Sequence, residues 1–349
     1  MLTKRLARGI KESKHIQLCE VTGIHSTSGV RATVFGGTGF IAKSIGNALG
    51  QIGSDIVYPS KNFWTISDNI KRLRLTGNLG MVYVANNINF DDSRSIYRCL
   101  THSNVVINSL GPRRYSTSYD QFKNVNIEIP RLIAKQARRI GAKRMIHISS
   151  VGVDPRSPSL DLQTKFYGEQ AVLDEFPDAT IIRLTTVIGM NDYFQKIFRK
   201  QACLFHNFVP VYTDLEARRQ PITDSDVGQA VLNAIKLTEA IGQTYEVGGP
   251  HAYTIKELYE IMMNILQKPL TFAKINKNLA LKLSLIKSWQ YFNYDDIIKS
   301  DLDLIVQPKE GVKTVEDLLF KPASVVPTLE ELVSPYRELV GVTKDDAFI

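Results

Sequence analysis

The feature that most constrains the fold of this 349-residue chain is a glycine-rich turn at residues 36–42. A short β-branched and aromatic run at residues 31–35 leads into Gly36, Gly39 and Ala42, and a helical pattern of apolar residues follows. In this spacing the first glycine permits a tight turn, the second lets the backbone approach a pyrophosphate, and the alanine lets the helix pack near the sheet. Because the turn joins a strand to a helix, the motif predicts dinucleotide binding at the helix N-terminus. The alternative is a turn with a purely structural role.

Strands and helices are predicted to alternate along the first half of the chain. Helical patterns lie between several apolar runs that predict five further strands, at residues 55–58, 81–85, 104–110, 144–149 and 179–184. This alternation favours an α/β fold, a Rossmann-like doubly wound parallel sheet with a smaller C-terminal region over the cofactor cleft. We expect four regions, the third partly interleaved with the sheet: a basic N-terminal segment (1–28), a dinucleotide-binding domain (29–190), a C-terminal α/β region (191–320) and a tail (321–349).

The charge pattern bears on location and partners. The net charge is +8, and the first eleven residues carry four basic side chains and no acid. An acid-poor basic start predicts a mitochondrial targeting segment, and a disordered basic tail is the alternative.

No nucleic-acid motif is present, so we expect no nucleic-acid partner. The three cysteines and six histidines match no metal-site spacing, and no apolar run approaches the ~20 residues that a membrane-spanning helix needs.

The end of the second predicted strand indicates which dinucleotide is bound. NAD sites place an acidic residue there, on the ribose 2′-hydroxyl. This chain has Ser60 and Lys61 instead, with Arg72 as a further cation nearby. A hydroxyl and a cation favour the 2′-phosphate of NADPH, and a solvent-facing Lys61 is the alternative.

Several segments together resemble the extended short-chain dehydrogenases/reductases: residues 34–41, 104–108, 147–150, 165–169 and 220–227. Within that group the chain resembles most the nucleotide-binding accessory subunits of mitochondrial respiratory complex I, through residues 50–55, 77–80, 102–108 and 176–182. The resemblance covers roughly residues 31–270. It implies further cofactor contacts at Thr38, Phe40, Ile41, Phe90, Ser109, Leu110, Gly111, Ser149 and Lys165.

The same resemblance allows a test for catalysis. Active members use a Tyr as proton donor, a Lys four residues later and a Ser at the end of the preceding strand. Ser149 and Lys165 match, but the tyrosine position holds Asp161. With a reference pKa of ~3.9, Asp161 is ionised at neutral pH and would pair with Lys165 one helical turn away. We therefore expect no catalytic residues, only degenerate remnants.

Residues 272–299 contain several leucines among lysines, followed by the aromatics Trp289, Tyr291 and Phe292. This pattern predicts either a basic amphipathic helix that contacts a membrane surface or a core helix with lysines at its rim. The resemblance implies a non-catalytic accessory subunit, bound to other complex I subunits on the matrix side of the inner membrane. Two alternatives remain open: a soluble NADP-dependent oxidoreductase or epimerase, and an NADP(H)-responsive sensor.

Overall fold

The computed structural model describes residues 26–61, 81–112, 118–190, 192, 194, 208–213, 215–267, 271–284, 294–307 and 310–337. Arg72 and nearly all of the basic N-terminal segment lie outside these residues, as do the aromatics Trp289, Tyr291 and Phe292.

The strands in the described residues are β1 (Arg31–Phe35), β2 (Asp55–Pro59), β3 (Val82–Ala85), β4 (Val105–Asn108), β5 (Arg144–Ser150), β6 (Thr180–Leu184), β7 (Val187–Ile188), β8 (Phe208–Val211), β9 (Arg218–Arg219), β10 (Ile222–Thr223), β11 (Thr244–Val247), β12 (Tyr253–Thr254), β13 (Thr271–Lys274) and β14 (Val312–Thr314). Eight of them form one sheet in the order β14-β11-β6-β5-β4-β1-β2-β3. All neighbouring pairs in this sheet are parallel. The predicted doubly wound parallel sheet is therefore confirmed.

The α-helices in the described part of the chain are α1 (Phe40–Gln51), α2 (Ser93–Leu100), α3 (Tyr119–Lys123), α4 (Ile129–Arg139), α5 (Leu160–Glu175), α6 (Asp224–Lys236), α7 (Ile255–Leu266), α8 (Lys277–Ser284), α9 (Tyr294–Lys299) and α10 (Val326–Val333). One turn of π-helix, Asn124–Glu128, joins α3 to α4. None of the helices in the described ranges is both long and apolar enough to cross a bilayer.

Helices cover the sheet on both faces. On one face, α1 and α6 contribute Ile45 and Val231 to a core that includes Val34 of β1. On the other, α2, α4 and α5 pack against Phe35 of the same strand and Val106 of β4. Successive residues of β1 therefore point into different cores, as expected for a strand buried on both faces.

Two elements lie where the sequence did not predict them. Helix α2 is short, and the Asp92 side chain caps it by accepting hydrogen bonds from the amides of Arg94 and Ser95. Near the C-terminus, β14 extends the main sheet beside β11, although the last forty residues show little periodicity. The domain boundaries expected from the sequence remain a prediction.

Candidate functional site

The candidate site lies at the carboxyl ends of four neighbouring strands, β2, β1, β4 and β5. Strand β1 pairs with β2 on one side and with β4 on the other. The strands that follow β1 therefore extend the sheet first in one direction and then, from β4 onward, in the other. In doubly wound sheets, a crevice opens where the strand order reverses in this way. The loops that follow these four strands carry most of the residues predicted to bind the cofactor.

The glycine-rich turn needs its first glycine for two reasons. Gly36 has a φ of +88°, a conformation that side chains disfavour. A Cβ atom there would also lie 2.7 Å from the carbonyl oxygen of Ser109. The Ser109 hydroxyl, in turn, donates a hydrogen bond of 2.7 Å to the Phe35 carbonyl and so ties the loop after β4 to the end of β1.

The N-terminus of α1 is open to a ligand. Its N-cap residue, Gly39, offers no side-chain hydrogen bond, and the first turn contains no acid. Thr38 and Gly39 are exposed, and Phe40 and Ile41 are half-buried. Unsatisfied N–H groups and the helix dipole at such an end attract phosphate. The turn and the helix end together fit a dinucleotide pyrophosphate.

A basic and aromatic corner follows β2. Ser60 is buried, and its amide donates to the carbonyl of Ala85 on the neighbouring strand. The Lys61 ammonium lies 5.2 Å from the Phe90 ring centroid and 3.8 Å from an Asp91 carboxylate oxygen. Lys61 thus stands at the rim of the crevice, where sequence reasoning expected a 2′-phosphate, but an acid already balances part of its charge.

The end of β5 carries a buried polar group. Ser149 is buried, and its hydroxyl has no hydrogen-bond partner among the described residues. His147, two residues earlier, shares a 3.0 Å hydrogen bond with the side chain of Asn108 on β4. Burial, with a smaller contribution from the charge of Lys165, lowers the pKa of His147 to about 4. A buried hydroxyl without a partner is consistent with a site that a ligand completes.

Asp161 is the centre of a buried charged cluster at the start of α5. One carboxylate oxygen accepts a 2.6 Å hydrogen bond from the Lys299 ammonium and lies 3.2 Å from that of Lys165. The other oxygen accepts from the side chain of Asn126, at 3.0 Å. Lys299 also lies 3.0 Å from a carboxylate oxygen of Asp295, one turn earlier on α9. The expected pair of Asp161 and Lys165 is present, within a larger network.

The cluster keeps its members charged. Burial alone would raise the pKa of the Asp161 carboxyl, but the charges of Lys165 and Lys299 outweigh it and hold that pKa well below its ordinary value. Burial also acts to lower the pKa of Lys299, yet the carboxylates of Asp161 and Asp295 raise it above its usual range. An ionised carboxylate has no proton to donate to a substrate.

Sequence reasoning missed three members of this cluster: Lys299, Asp295 and Asn126. The first two lie on a six-residue helix far along the chain. Asn126 lies in the π-helical turn between α3 and α4, which the periodicity of apolar residues did not reveal. Tyr167, two residues after Lys165 on the same helix, is 42% exposed.

A cavity of about 250 Å³ opens beside the cluster, and Lys299 and Leu304 form part of its wall. Arg219 also lines the cavity and donates to the main-chain carbonyls of Arg218, Lys299 and Leu302. Burial lowers the pKa of Arg219 to about 10. No group of three or more His, Cys, Asp or Glu side chains among the described residues is placed to hold a metal ion.

Comparison with known proteins places the chain in a family. Residues 32–248 match the NAD dependent epimerase/dehydratase family. The chain is 35% identical over 246 residues to "NADH dehydrogenase (ubiquinone) 1 alpha subcomplex subunit 9, mitochondrial" of Mus musculus, an alignment that covers 70% of this chain and 63% of the mouse protein. It is 33% identical over 303 residues to the Arabidopsis thaliana protein of the same name, covering 81% of this chain and 73% of that protein. The match therefore spans less than two thirds of the mouse relative.

Solved structures show the same fold at low identity. A UDP-glucuronic acid 4-epimerase from Bacillus cereus, in complex with UDP-glucuronic acid and NAD, is similar with a TM-score of 0.65 and 16% identity, over 88% of this chain and 98% of that one. The binary complex of leucoanthocyanidin reductase with NADPH, from Vitis vinifera, gives a TM-score of 0.63 and 15% identity, over 87% and 99% of the two chains. These findings confirm the family resemblance inferred from the sequence. The chain belongs to the NAD dependent epimerase/dehydratase family and, within it, to the group that contains the mouse and Arabidopsis subunits.

Proposed function

We propose that this protein is a non-catalytic, NADP(H)-binding accessory subunit of mitochondrial respiratory complex I. The observation that carries the proposal is the contrast between two halves of one site. The glycine-rich turn and the α1 N-terminus fit a dinucleotide, whereas the position of the proton donor holds the ionised carboxylate of Asp161, paired with Lys165 and Lys299.

The preference for NADPH rests on the corner after β2. Ser60 and Lys61 take the place of the acidic residue that would bind an unphosphorylated ribose. Lys61→Glu should weaken NADPH binding by roughly 1–3 kcal/mol, the range for losing a charge-assisted hydrogen bond. Calorimetry with NADPH and NADH measures the preference, and Lys135→Glu, at an exposed lysine on α4, controls for a change of surface charge. Equal affinity of the unmodified protein for the two cofactors would contradict this part of the proposal.

The absence of catalysis follows from the charge state of the cluster. Asp161 cannot protonate a carbonyl substrate, and Lys165 is engaged with it at 3.2 Å. We expect no turnover of common carbonyl substrates with NADPH. NADPH oxidation by the unmodified protein that disappears in Lys165→Ala would show that the site is catalytic.

A retained cofactor in a non-catalytic site has a thermodynamic role. A ligand that binds only the folded state stabilises it by about 2.7 kcal/mol at a hundredfold excess over its dissociation constant. That is a sizeable share of the ~5–15 kcal/mol that separates folded from unfolded proteins. NADPH would then stabilise a subunit that contributes surface to the complex.

The names of the mouse and Arabidopsis relatives support the assignment to complex I, and the basic, acid-poor start of the chain supports a mitochondrial location. We place the protein peripherally, on the matrix side of the inner membrane, in contact with other complex I subunits. Helix α8, which carries Lys277, Lys282 and the exposed Leu279, is the surface that we expect to contact the membrane.

Native electrophoresis of mitochondria, probed for this chain, tests the assignment. We expect co-migration with complex I, and disruption of the glycine-rich turn should lower the amount of assembled complex more than its activity per particle. A small free protein beside a complex I that lacks this chain would contradict the assignment.

One observation favours a second candidate, an NADP-dependent oxidoreductase or epimerase. The cavity beside Lys299 lies next to the cluster and would admit a small substrate. The turnover measurement above separates the two functions.

A further inference from the structure

Residues 294–307, which we call the C-terminal strap, run across the carboxyl ends of the main sheet. The Leu304 amide donates to the Arg218 carbonyl at 2.9 Å, and the Val306 amide donates to the side chain of Gln220 at 2.9 Å. At the far end, the Gln307 amide donates to a carboxylate oxygen of Glu246 on β11, at 3.2 Å. These contacts attach the strap to loops and strand ends along one edge of the sheet.

The strap also covers the end of β5. A Cβ atom on Gly152 would lie only 2.8 Å from the Leu304 side chain, so the strap packs closely against this glycine. The side chain of Asp295 accepts a 2.9 Å hydrogen bond from Ser159, the N-cap residue of α5. The strap therefore packs directly above the loop that follows Ser149, the end of the crevice where the nicotinamide half of a dinucleotide would lie.

The pair of Lys299 with Asp161 differs in its burial from two other ion pairs that join the strap to the rest of the chain. Lys299 and Asp161 have side chains that are only 20% and 7% exposed. The pairs Arg218–Asp303 and Lys277–Asp301 also involve the strap, but their side chains are 37% to 55% exposed. Exposed ion pairs contribute little to stability, whereas removal of one member of a buried pair leaves an uncompensated charge.

The charges of the cluster balance. Asp161 and Asp295 are matched by Lys165 and Lys299, which come from α5 and from the strap. Because Lys165 and Lys299 bind the same carboxylate oxygen of Asp161, their ammonium groups are close neighbours. Opening of the strap would withdraw Lys299 and Asp295 together, and Asp161 would keep the ammonium of Lys165 and the side-chain amide of Asn126.

We propose that Lys299 is a latch that holds the C-terminal strap closed over the nicotinamide end of the dinucleotide site and thereby slows dinucleotide release. In this view Asp161 is the anchor for the strap and has a structural role of its own. The inference rests on the proposed dinucleotide site, because release can be slowed only if a dinucleotide binds there. Lys299 is a positioning residue, and its substitution should open the strap locally while the sheet stays folded.

Hydrogen exchange on the full chain, followed by mass spectrometry, measures the opening. We expect Lys299→Met to speed exchange at the strap amides by on the order of 100-fold, given the effect of unpairing a buried charge on local opening. Exchange in β4 should not change. Lys277→Met is the matched control, because it removes an exposed Lys–Asp pair of the same segment.

A double-mutant cycle tests whether the Lys299–Asp161 ion pair itself holds the strap closed. Asp161→Asn should also open the strap, and the double variant should exchange more slowly than the product of the two single effects predicts. Should Lys299→Met fail to fold, Asp295→Ala removes the second tie, to Ser159, and should give a smaller change in the same direction. Strap exchange that is equal in Lys299→Met and Lys277→Met, or fully additive effects in the cycle, would overturn the latch.

The effect on release is measured by stopped-flow fluorescence, with bound NADPH chased by excess NADP⁺. We expect NADPH to dissociate at least about tenfold faster from Lys299→Met than from Lys277→Met if closure limits release. A strap that opens without changing the NADPH dissociation rate would overturn the inference and leave the dinucleotide site intact. If the unmodified protein binds no NADPH at all, the proposed cofactor role fails, and this inference fails with it.

Discussion

Acidification should destabilise this protein through His147, a buried histidine at the carboxyl end of β5. Its side chain is 3% exposed and pairs with Asn108. Burial, aided by the positive charge of Lys165, lowers its pKa from 6.5 to about 4. The unfolded chain exposes the imidazole to water and returns it to its ordinary value near 6.5. Between these two pH values, only the unfolded state takes up the proton.

The sign and size of the effect follow from proton linkage. The contribution of His147 to the free energy of unfolding is fully present above pH 6.5. It is lost as the pH falls toward about 4, because protonation in that range favours the unfolded state. The complete difference corresponds to about 3 kcal/mol, of which about 2 kcal/mol falls between pH 7 and pH 5. Asp161 adds little in this window, because its lowered pKa affects stability only below the ordinary range of a carboxylic acid.

Urea unfolding at about pH 7 and about pH 5, followed by circular dichroism, measures this loss as a shift of the midpoint at constant slope. His147→Asn keeps an acceptor for Asn108 but does not titrate, so most of the shift should disappear in that variant. His102→Asn, at an exposed histidine, controls for the substitution. An equal loss of stability on acidification in the unmodified protein and in His147→Asn would refute the reasoning.

Two further predictions concern glycines. Gly36→Ala should weaken NADPH binding and lower the thermal unfolding midpoint more than Gly311→Ala does. Both glycines have positive φ, but only at Gly36 would the new Cβ lie 2.7 Å from the Ser109 carbonyl oxygen. Equal midpoint shifts in thermal scans of the two variants would show that this contact is unimportant. Gly168→Ala should destabilise the protein by roughly 1–3 kcal/mol in chemical unfolding, despite the better helix propensity of alanine. The reason is that its Cβ would lie 1.9 Å from the Asn126 carbonyl oxygen. A variant as stable as the unmodified protein would contradict this prediction.

The structure also changes the interpretation of Asp161. From the sequence alone it is the degenerate remnant of a catalytic tyrosine, paired with Lys165 on the same helix. Its carboxylate in fact contacts three side chains from three elements, and two of them, Asn126 and Lys299, were not predicted. Local spacing revealed the i,i+4 partner, since a helix brings such positions together wherever it lies. It could not reveal Lys299, which is 138 residues away along the chain.

The amino-acid sequence by itself determined six of the eight strands of the main sheet and the glycine-rich turn. Strand β1 begins and ends at the residues predicted. Helix α7 begins with a capping box, in which the Thr254 side chain accepts a hydrogen bond from the amide of Glu257. Apolar periodicity and capping chemistry act within a few residues, so they can be recognised in a single sequence. The turn at Gly36 is equally local, because a positive φ and a close backbone neighbour select for glycine.

Only the tertiary structure decided the order of the strands, the depth at which side chains are buried and the composition of the charged cluster. The burial of His147 depends on the strands and helices that surround β5, and that burial sets the direction in which its pKa moves. The pairing of Lys299 with Asp161 depends on a six-residue helix, α9, whose position follows from packing across the end of the sheet. Such contacts depend on how distant segments pack together, and local residue patterns carry little information about them.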